Sequence, residues 1–443
     1  MERLLIKKKL NTDVAWLLSG NILYSACQWA IVLAFAKLGS PEQVGEYALG
    51  MAVSAPVVLL ANFQLRALLA SDVWNQFTFS KYLTFRLVSL GVALLVVACA
   101  AVYAQADWGR RGIILLVGFG QVLEYISETY YGLMQKHERI DRIARSLLLK
   151  GPVSLAALCL AMYATRSVAW AVFGLALGRL AILLVWDARL GFAAKGEHVP
   201  AARIEARIEW DGGEMLGLLR AALPLGVISM LGSLIPNIPR YFINVFEGSA
   251  GLGIFSAIAS LLTAGTLVVS TFGQASFLPV VKACAEADRA KYRMLVWQAM
   301  ALAGGLGVVA IVASVLFGRS LLIHLFRREY GEYTDILVRL MIAGMMMFMA
   351  SGLGYIMTAA RKLRPQIPLL LLAAVAAAAT SAWSIPRHGL RGAADAVLIS
   401  AFVQLAGTGV ILWQIDRQVR SSARLSSTAQ VCRPEATAEI AKV

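Results

Sequence analysis

The chain has 443 residues, of which 59 % are hydrophobic and 15 % are charged, and its mean hydropathy is +0.70. Soluble domains average roughly 45–50 % apolar and 25 % charged residues, so this composition excludes an ordinary soluble protein and indicates an integral membrane protein. The formal net charge of +15 would point to nucleic acid in a soluble chain. In a membrane protein it favours basic cytoplasmic loops and contact with anionic lipid, so we expect no nucleic acid partner.

Twelve apolar runs are long enough to cross a bilayer as helices, which predicts an all-α polytopic protein. The runs lie at about 14–37, 43–65, 82–104, 112–134, 142–163, 167–187, 216–243, 250–279, 294–317, 334–359, 366–385 and 391–414. Lysine and arginine are roughly three times as frequent in the loops on the side of the N-terminus as on the opposite side. Because positive loops stay in the cytoplasm, we expect both termini there.

The predicted spans divide six and six about the longest internal connection, which is a mixed-charge segment at residues 188–215. This division predicts an N-terminal lobe at 1–187, a cytoplasmic linker and a C-terminal lobe at 216–415. The remaining residues, 416–443, are poor in apolar side chains, which predicts a disordered cytoplasmic tail.

A weak internal repeat supports the two-lobe interpretation. The segment after the first span is matched, at an offset of about 209 residues, by the segment after the seventh: Gly39–Ser40, Gly45 and Tyr47–Ala48 correspond to Gly248–Ser249, Gly253 and Phe255–Ser256. Six spans is an even number, so both halves run in the same direction. The lobes are therefore expected to be related by an axis along the membrane normal.

The chain lacks the motifs of the common membrane enzymes and pumps. It has no GxxxxGK[ST] loop for ATP, no HExxH zinc motif and no GxSxG nucleophile elbow. Its five cysteines and four histidines are scattered, which gives no reason to expect a metal site or a cofactor. The sequence thus favours a transporter that is not an enzyme, or else an unusual membrane enzyme.

Five cations fall inside the predicted spans, where a charged side chain costs at least ~2.5–3.5 kcal/mol and marks a candidate functional site. They are Lys150, Arg179, Arg220, Arg240 and Arg339. A water-filled cavity with positive walls between two lobes is suited to an anionic substrate. The alternative is that Arg220, Arg240 and Arg339 extend to nearby headgroups, whereas Lys150 and Arg179 are deeper and better placed for the cavity.

Other polar residues within the spans allow two interpretations. Asn21 and Gln28 in the first span, and Asn237 in the seventh, lie on polar helix faces that either line the cavity or form interhelical hydrogen bonds. The acids Glu124, Glu128 and Asp395 are candidates for coupling to a proton or sodium gradient. Pairing of these acids with Lys150 or Arg179 is the structural alternative.

Several short segments resemble a known family. They are residues 135–146 (QKHERIDRIARS), 65–72 (LRALLASD), 223–226 (LPLG), 237–241 (NIPRY) and 248–256 (GSAGLGIFS). Together they resemble the Wzx-type polysaccharide or O-antigen repeat-unit flippases of the multidrug/oligosaccharidyl-lipid/polysaccharide exporter superfamily. The resemblance extends over roughly residues 10–415.

This resemblance implies two six-helix lobes around a central cavity in the bacterial cytoplasmic (inner) membrane. It also implies a flippase whose substrate is a polyprenyl-diphosphate-linked oligosaccharide, carried to the outer leaflet for assembly of lipopolysaccharide, capsule or exopolysaccharide. Partners of such a protein include anionic membrane lipid, a polysaccharide polymerase and glycosyltransferases. The diphosphate agrees with the cationic spans, and rocking of the lobes would expose the cavity to each side in turn.

Two rival functions remain open at this level. A cation-coupled exporter of drugs or metabolites belongs to the same superfamily, but acids in its cavity would suit cationic substrates better than bases. A membrane glycosyltransferase, either a polymerase or a ligase, would use the same lipid-linked sugars but generally has a large outer loop.

The sequence also departs from the flippase family at Arg240, which follows Pro239 where the family commonly has an acid.

Overall fold

The computed structural model describes residues 2–72, 76–103, 108–189, 208–286, 288–360 and 364–431. These residues form helices α1 to α14: Glu2–Leu38, Pro41–Asn62, Leu65–Ser71, Phe79–Tyr103, Trp108–Lys136, Ile140–Thr165, Val168–Ile182, Gly212–Phe246, Gly248–Ser260, Leu262–Ala285, Arg289–Leu325, Thr334–Ala359, Gln366–His388 and Leu390–Val431. A π-helical turn at Leu183–Asp187 extends α7, and a 3₁₀ turn at Arg328–Tyr333 precedes α12. The prediction of an all-helical protein is confirmed.

Twelve of these segments are long and apolar enough to cross a membrane, as the hydropathy predicted. The second span continues through the short helix α3, and the eighth span combines α9 with the first part of α10. The predicted linker lies largely outside the described residues, since 190–207 are not described. Helix α14 continues to Val431, so the helix extends past residue 416, where the composition predicted a disordered tail.

Local sequence signals explain where several helices begin. The Ser40 hydroxyl accepts a hydrogen bond from the Gln43 amide while the Gln43 side chain accepts one from the Ser40 amide, and Pro41 occupies the first helical turn of α2. Asp211 caps α8 through the amides of Gly213 and Glu214. These caps satisfy amides that would otherwise have no partner within the helix.

The helices pack into an N-terminal lobe, formed by spans one to six, and a C-terminal lobe, formed by spans seven to twelve. Within the first lobe, α6 packs between α1 and α7, and α5 packs on α2, α4 and α7. Within the second, α12 packs on α10, α11 and α14, and α13 packs on α8 and α14. The main contact between the lobes is made by α2 against α8 and α9.

The repeated glycines lie at this contact between the lobes. A methyl group on Gly45 would overlap the carbonyl of Ser249, and a methyl group on Gly253 would overlap the carbonyl of Pro41. Residues 41 and 45 of the N-terminal lobe correspond to residues 249 and 253 of the C-terminal lobe, because both pairs are separated by the same number of residues. The contact of Gly45 with Ser249 is therefore equivalent to the contact of Gly253 with Pro41 when the two lobes are exchanged. The contact is therefore self-complementary, as in a two-fold symmetric interface. The internal repeat marks the place where the two backbones meet.

Gly45→Ala or Gly253→Ala is expected to separate the lobes at this end, because a methyl group has no space between the two backbones. Overpacking of this kind costs about 1–3 kcal/mol. Pulsed electron resonance between spin labels at the exposed residues 42 and 329 should show a longer distance in either variant.

The matched control is Gly91→Ala, since a methyl group there meets no atom within 4 Å. Its distance distribution should equal that of the wild type. An unchanged distribution in Gly45→Ala and Gly253→Ala would contradict the assignment of these glycines to the lobe contact.

Candidate functional site

A cluster of four charged residues is buried inside the N-terminal lobe, and we call it the N-lobe charge cluster: Glu124 on α5, Lys150 on α6, Arg179 on α7 and Asp187 at the end of α7. The Lys150 ammonium lies 3.2 Å from Asp187 Oδ2 and 3.7 Å from Glu124 Oε1. It also lies 4.7 Å from the centroid of the Tyr131 ring. Lys150 has 0 % exposed surface, so it does not line an open cavity in this conformation.

Arg179 completes this cluster on its other side. Its Nε lies 3.7 Å from Glu124 Oε2, and its two terminal nitrogens donate to the Gly120 carbonyl at 2.9 Å and to Gln28 Oε1 at 3.2 Å. Gln28 on α1 thus forms an interhelical hydrogen bond with Arg179 on α7, within the same lobe. Glu124 lies between the two cations, so one acid contacts both.

The N-lobe charge cluster carries two positive and two negative charges, so it has no net charge at neutral pH. In a low-dielectric interior an unpaired charge is far more costly than a paired one, and pairing lets four charges remain in the lobe. The pairing with Glu124 is the arrangement that the sequence analysis set against a substrate-binding role for Lys150 and Arg179. A substrate-binding role for Lys150 and Arg179 stays a prediction.

Asp187 is a buried residue that the sequence analysis missed, because it lies at the edge of the sixth predicted span. The Ser146 hydroxyl donates to Asp187 Oδ1, and the Tyr131 hydroxyl donates to Oδ2 at 3.5 Å. Its side chain is fully buried. A π-helical turn at Leu183–Asp187 changes the helical register just before it, and this turn has no signal in hydropathy.

Arg86 is the second buried charge that was missed, because it lies one turn inside the third predicted span. Its side chain donates to the carbonyl and side-chain oxygens of Asn62 at 2.8 and 2.6 Å, and to Thr129 Oγ1 at 2.9 Å. Glu128 interacts electrostatically with Arg86 and with Arg66. Glu124 and Glu128 share one helix and both interact with Lys150, but Glu124 also pairs with Arg179, whereas Glu128 interacts with Arg66 and Arg86. Coupling to an ion gradient through Glu124, Glu128 or Asp395 stays a prediction.

Arg339 and Asp395 form an ion pair with each other, between α12 and α14. One turn earlier on both helices, Arg391 lies 2.6 Å from Asp335, with the signs reversed. These two pairs are partly exposed and link two parallel helices of the C-terminal lobe. Of the other residues singled out in the sequence, Arg220 is exposed on α8 and Asn21 is half-buried on α1.

Arg240 resembles Arg86 in having an asparagine oxygen as partner, but Arg86 interacts electrostatically with Glu128, whereas no carboxylate among the described residues interacts in this way with Arg240. Its Nη1 donates to Asn237 Oδ1 at 3.0 Å, while Asn237 Nδ2 donates to the Ser233 carbonyl at 2.8 Å. Its Nε is buried and has no hydrogen-bond partner among the described residues. Within the described part of the chain, no carboxylate forms an ion pair with this guanidinium. Pro239, in the position that an acid commonly occupies in the flippase family, contributes to this lack of a counter-charge.

Arg240 lines a small recess of about 120 Å³ between α8, α9, α10, α12 and α14, which we call the Arg240 recess. It adjoins a cavity of about 360 Å³, which we call the C-lobe cavity, and the two share Pro236, Thr266, Met347 and Val397 as lining residues. The hydroxyl and amide side chains of the C-lobe cavity come from four helices: Thr266, Ser351, Tyr355, Thr358, Gln366, Ser400, Gln404 and Thr408. None of the described residues that line it carries a charge.

Proline adds a backbone acceptor to this wall. Helix α8 is continuous across Pro224, Pro236 and Pro239. Pro236 has no N–H, so the carbonyl of Gly232 lacks its usual helical donor. Both residues line the C-lobe cavity. The combination of hydroxyls, amides and a free carbonyl is suited to a neutral polyol, and the Arg240 recess is suited to an anion.

The basic segment after α5 contains charges that are partly compensated. Lys136 Nζ lies 3.8 Å from Asp72 Oδ2, and Arg139 Nε lies 3.3 Å from Asp141 Oδ1. Burial, together with the positive charge of Lys136, lowers the pKa of the His137 imidazole. His137 is therefore neutral at pH 7, and the positive charge of the segment comes from its lysine and arginines.

Asp187→Asn is expected to destabilise the protein by about 3–5 kcal/mol, because Lys150 then keeps only the more distant Glu124 carboxylate. Replacing both partners, as in Lys150→Met with Asp187→Leu, should recover most of that loss because no unpaired charge is left at that position. Thermal unfolding in detergent measures both effects.

Asp335→Asn is the matched control, since it removes the same charge from a partly exposed pair and should cost at most about 1 kcal/mol. If Asp187→Asn is as stable as Asp335→Asn, the N-lobe charge cluster does not hold the lobe together.

The fold is shared with solved transporters. A multidrug resistance MATE family transporter of the MOP superfamily, in an inward-facing conformation, superposes with a TM-score of 0.73 at 13 % identity and covers 90 % of this chain and 96 % of its own. The lipid II flippase MurJ, in an inward closed conformation, superposes with a TM-score of 0.67 at 8 % identity, covering 90 % and 88 %. At such identities the likeness establishes the fold, which is that of a multi-pass membrane protein.

Sequence comparison identifies the family. The capsular polysaccharide biosynthesis protein CapF of Staphylococcus aureus is 27 % identical over 390 residues, which cover 87 % of this chain and 94 % of that protein. The resemblance noted in the sequence is confirmed by this relative and by the shared fold. Residues 10–284, more than half of the chain, match the profile of the family described as polysaccharide biosynthesis protein, and the chain belongs to that family.

Proposed function

We propose that this protein is a flippase that carries a polyprenyl-diphosphate-linked oligosaccharide from the cytoplasmic to the outer leaflet of the bacterial inner membrane. The family, the relative named for capsular polysaccharide biosynthesis and the fold shared with MATE and MurJ support a transporter of this superfamily. The product would serve the assembly of a surface polysaccharide, next to a polymerase and glycosyltransferases. Both termini would lie in the cytoplasm, in accord with the basic loops.

The observation that carries the proposal is an arginine without a counter-charge beside an uncharged polar cavity. The guanidinium of Arg240 offers a fork of N–H donors that matches phosphate oxygens, and no described residue forms a hydrogen bond with its Nε. The C-lobe cavity next to it offers hydroxyl and amide groups to sugar hydroxyls. We place the diphosphate at Arg240 and the first sugars in the C-lobe cavity.

This placement assigns different roles to the cations found in the sequence. Lys150 and Arg179 are already compensated by acids, so an incoming diphosphate would compete with Glu124 and Asp187. Arg240 has no such competitor among the described residues and needs only to exchange a neutral amide contact. In our proposal the N-lobe charge cluster holds its lobe rigid while the lobes rock about the contact between α2, α8 and α9.

The rival functions fit these features less well. A drug or metabolite exporter of cationic substrates would gain from acids in its cavity, but the described lining of the C-lobe cavity is neutral and its neighbour is Arg240. A polymerase or ligase would need a large outer loop. The longest connection that the sequence predicts on the outer side is residues 318–333, and the end of α11 and a short 3₁₀ turn occupy most of it.

Arg240→Gln is expected to lower the flipping of a polyprenyl-diphosphate-linked sugar in reconstituted vesicles by roughly tenfold to a hundredfold. A hydrogen bond to a charged group is worth about 1.5–3 kcal/mol, which corresponds to this loss. Arg240→Lys should recover part of the activity, because it keeps the charge but loses the planar fork.

Arg319→Gln is the matched control, because Arg319 is an exposed arginine on α11 outside both cavities. It should flip the substrate at the wild-type rate. Normal flipping by Arg240→Gln, with protein stability unchanged, would overturn the placement of the diphosphate at this residue.

A further inference from the structure

A small notch lies on the surface of the C-terminal lobe, between the first turns of α11 and residues 412–416 of α14, and we call it the α11–α14 notch. It has a volume of about 150 Å³. None of the described residues that line it also lines the C-lobe cavity or the Arg240 recess, so it is a separate feature of the lobe. Its volume is about five times the ~30 Å³ that one water molecule occupies in the liquid, which is room for a small polar group and not for a whole lipid.

The notch lies at one end of two membrane spans, at the level of lipid head groups. Span nine begins at Arg289 on α11 and span twelve ends at Arg417 on α14, and an even number of spans precedes both points. Both points therefore lie on the side of the membrane that holds the two termini. The 37 residues of α11 extend about 55 Å, whereas a bilayer with its head groups is ~40–45 Å thick. The first turns of α11 are thus at the membrane surface.

Two arginine–tryptophan pairs border the notch with the same spacing. Arg293 precedes Trp297 by four residues on α11, and Trp413 precedes Arg417 by four residues on α14. Residues four apart share a helix face, and the two helices cross the membrane in opposite directions. In both pairs, therefore, the arginine is nearer the membrane surface and the tryptophan lies one turn deeper. Trp297 and Trp413 are 62 % and 53 % exposed, which suits indoles because these rings favour the membrane interface.

The charges around the notch are predominantly positive. Arg417 lies over the Trp413 ring, with its guanidinium carbon 3.6 Å from the ring centroid. Asp416 is the one acid among the described residues that line the notch, and it accepts hydrogen bonds from Arg289 Nε at 2.9 Å and Nη2 at 2.5 Å. Within the described part of the chain, no carboxylate forms an ion pair with Arg293 or Arg417. Two arginines are therefore available to a negatively charged group.

A polar group without a partner lies on the buried side of the notch. Tyr292 lines the notch, although only 1 % of its surface is exposed. Its hydroxyl has no hydrogen-bond partner among the described residues. A buried hydroxyl normally has such a partner, because an unpaired one loses its hydrogen bonds to water and gains none in return. An oxygen-rich group seated in the notch would supply the missing partner.

We propose that the α11–α14 notch binds the head group of an anionic phospholipid of the phosphatidylglycerol type. Arg293 and Arg417 would hold its phosphate from two sides, because a guanidinium matches phosphate oxygens with several N–H donors. The Tyr292 hydroxyl would bond to a phosphate or glycerol oxygen, and the acyl chains would remain in the bilayer beside Trp297 and Trp413. The bound lipid would thereby link α11 to α14.

The charge and the aromatic contacts favour this lipid over a zwitterionic one. A choline head group adds a positive charge that the two arginines repel, and it would seek the face of an indole. Arg417 already lies over the Trp413 ring. Near a membrane surface each arginine favours an anionic lipid by about fivefold. The inference does not rest on the proposed function, because the notch is separate from the C-lobe cavity and the Arg240 recess.

Photolabelling of the full-length protein tests this site. The protein is placed in phosphatidylcholine nanodiscs that contain a small fraction of phosphatidylglycerol with a diazirine at the start of one acyl chain, which leaves the head group unchanged. A phosphatidylcholine with the same diazirine is the comparison probe, and mass spectrometry identifies the labelled peptides. The phosphatidylglycerol probe should label residues 292–297 and 412–417 at least about fivefold more than the phosphatidylcholine probe does.

Arg293→Gln should lower this labelling by about fivefold, because one of the two available arginines is lost. Arg364→Gln is the matched control, because Arg364 is also exposed, in the same lobe and on the same side of the membrane, but does not line the notch. It should be labelled as the wild type is. Soluble glycerol phosphate should not compete with the probe, because it has no acyl chains to hold it at the membrane surface.

Equal labelling of the notch by the two probes, or unchanged labelling in Arg293→Gln, would overturn the proposal. Labelling of the basic residues 139–145 as strong as that of the notch would also overturn it, because the lipid would then form only a diffuse layer around positive charge. Competition by glycerol phosphate would assign the notch to a soluble phosphate compound and not to a lipid. Flipping is not measured in this experiment, so each of these results leaves the proposed function unaffected.

Discussion

The cost of an uncompensated charge inside a membrane protein governs the arrangement of this structure. The N-lobe charge cluster buries two cations and two acids so that each charge has an opposite partner: Glu124, Lys150, Arg179 and Asp187. The C-terminal lobe holds Arg240 with an amide partner and no described carboxylate. The paired charges give the N-terminal lobe a stable, neutral interior, whereas the guanidinium of Arg240 remains available to an anionic ligand.

Close backbone contact complements this electrostatic arrangement. The lobes meet through two glycines, Gly45 and Gly253, that occupy matching places in the sequence repeat. A contact made of small residues allows two helices to approach closely without interlocking side chains. Such a surface would suit the rocking of two rigid lobes that we propose, while the buried charges would keep the helices within one lobe together.

Sequence reasoning went further for the fold than for the site. Hydropathy predicted all twelve spans, and the glycine repeat turned out to mark the lobe contact. The five intramembrane cations were recognised, but their partners were not, because periodicity shows which face a residue occupies and not which helix packs against it. Asp187 was missed because a π-helical turn shifts the register at the end of a span. Arg86 was missed because a cation one turn inside a span looks like one that reaches the surface. The sequence showed that Pro239, and not an acid, precedes Arg240. That Arg240 has no carboxylate partner among the described residues became clear only when the structure located the carboxylates around it.

The most direct test of the central claim is a structure of the protein bound to a polyprenyl-diphosphate-linked sugar. Our account predicts density for the diphosphate in contact with the guanidinium of Arg240, with sugar density in the C-lobe cavity, and an N-lobe charge cluster that keeps its internal pairs. Density for the diphosphate between Lys150 and Arg179, with Glu124 and Asp187 displaced from them, would contradict it.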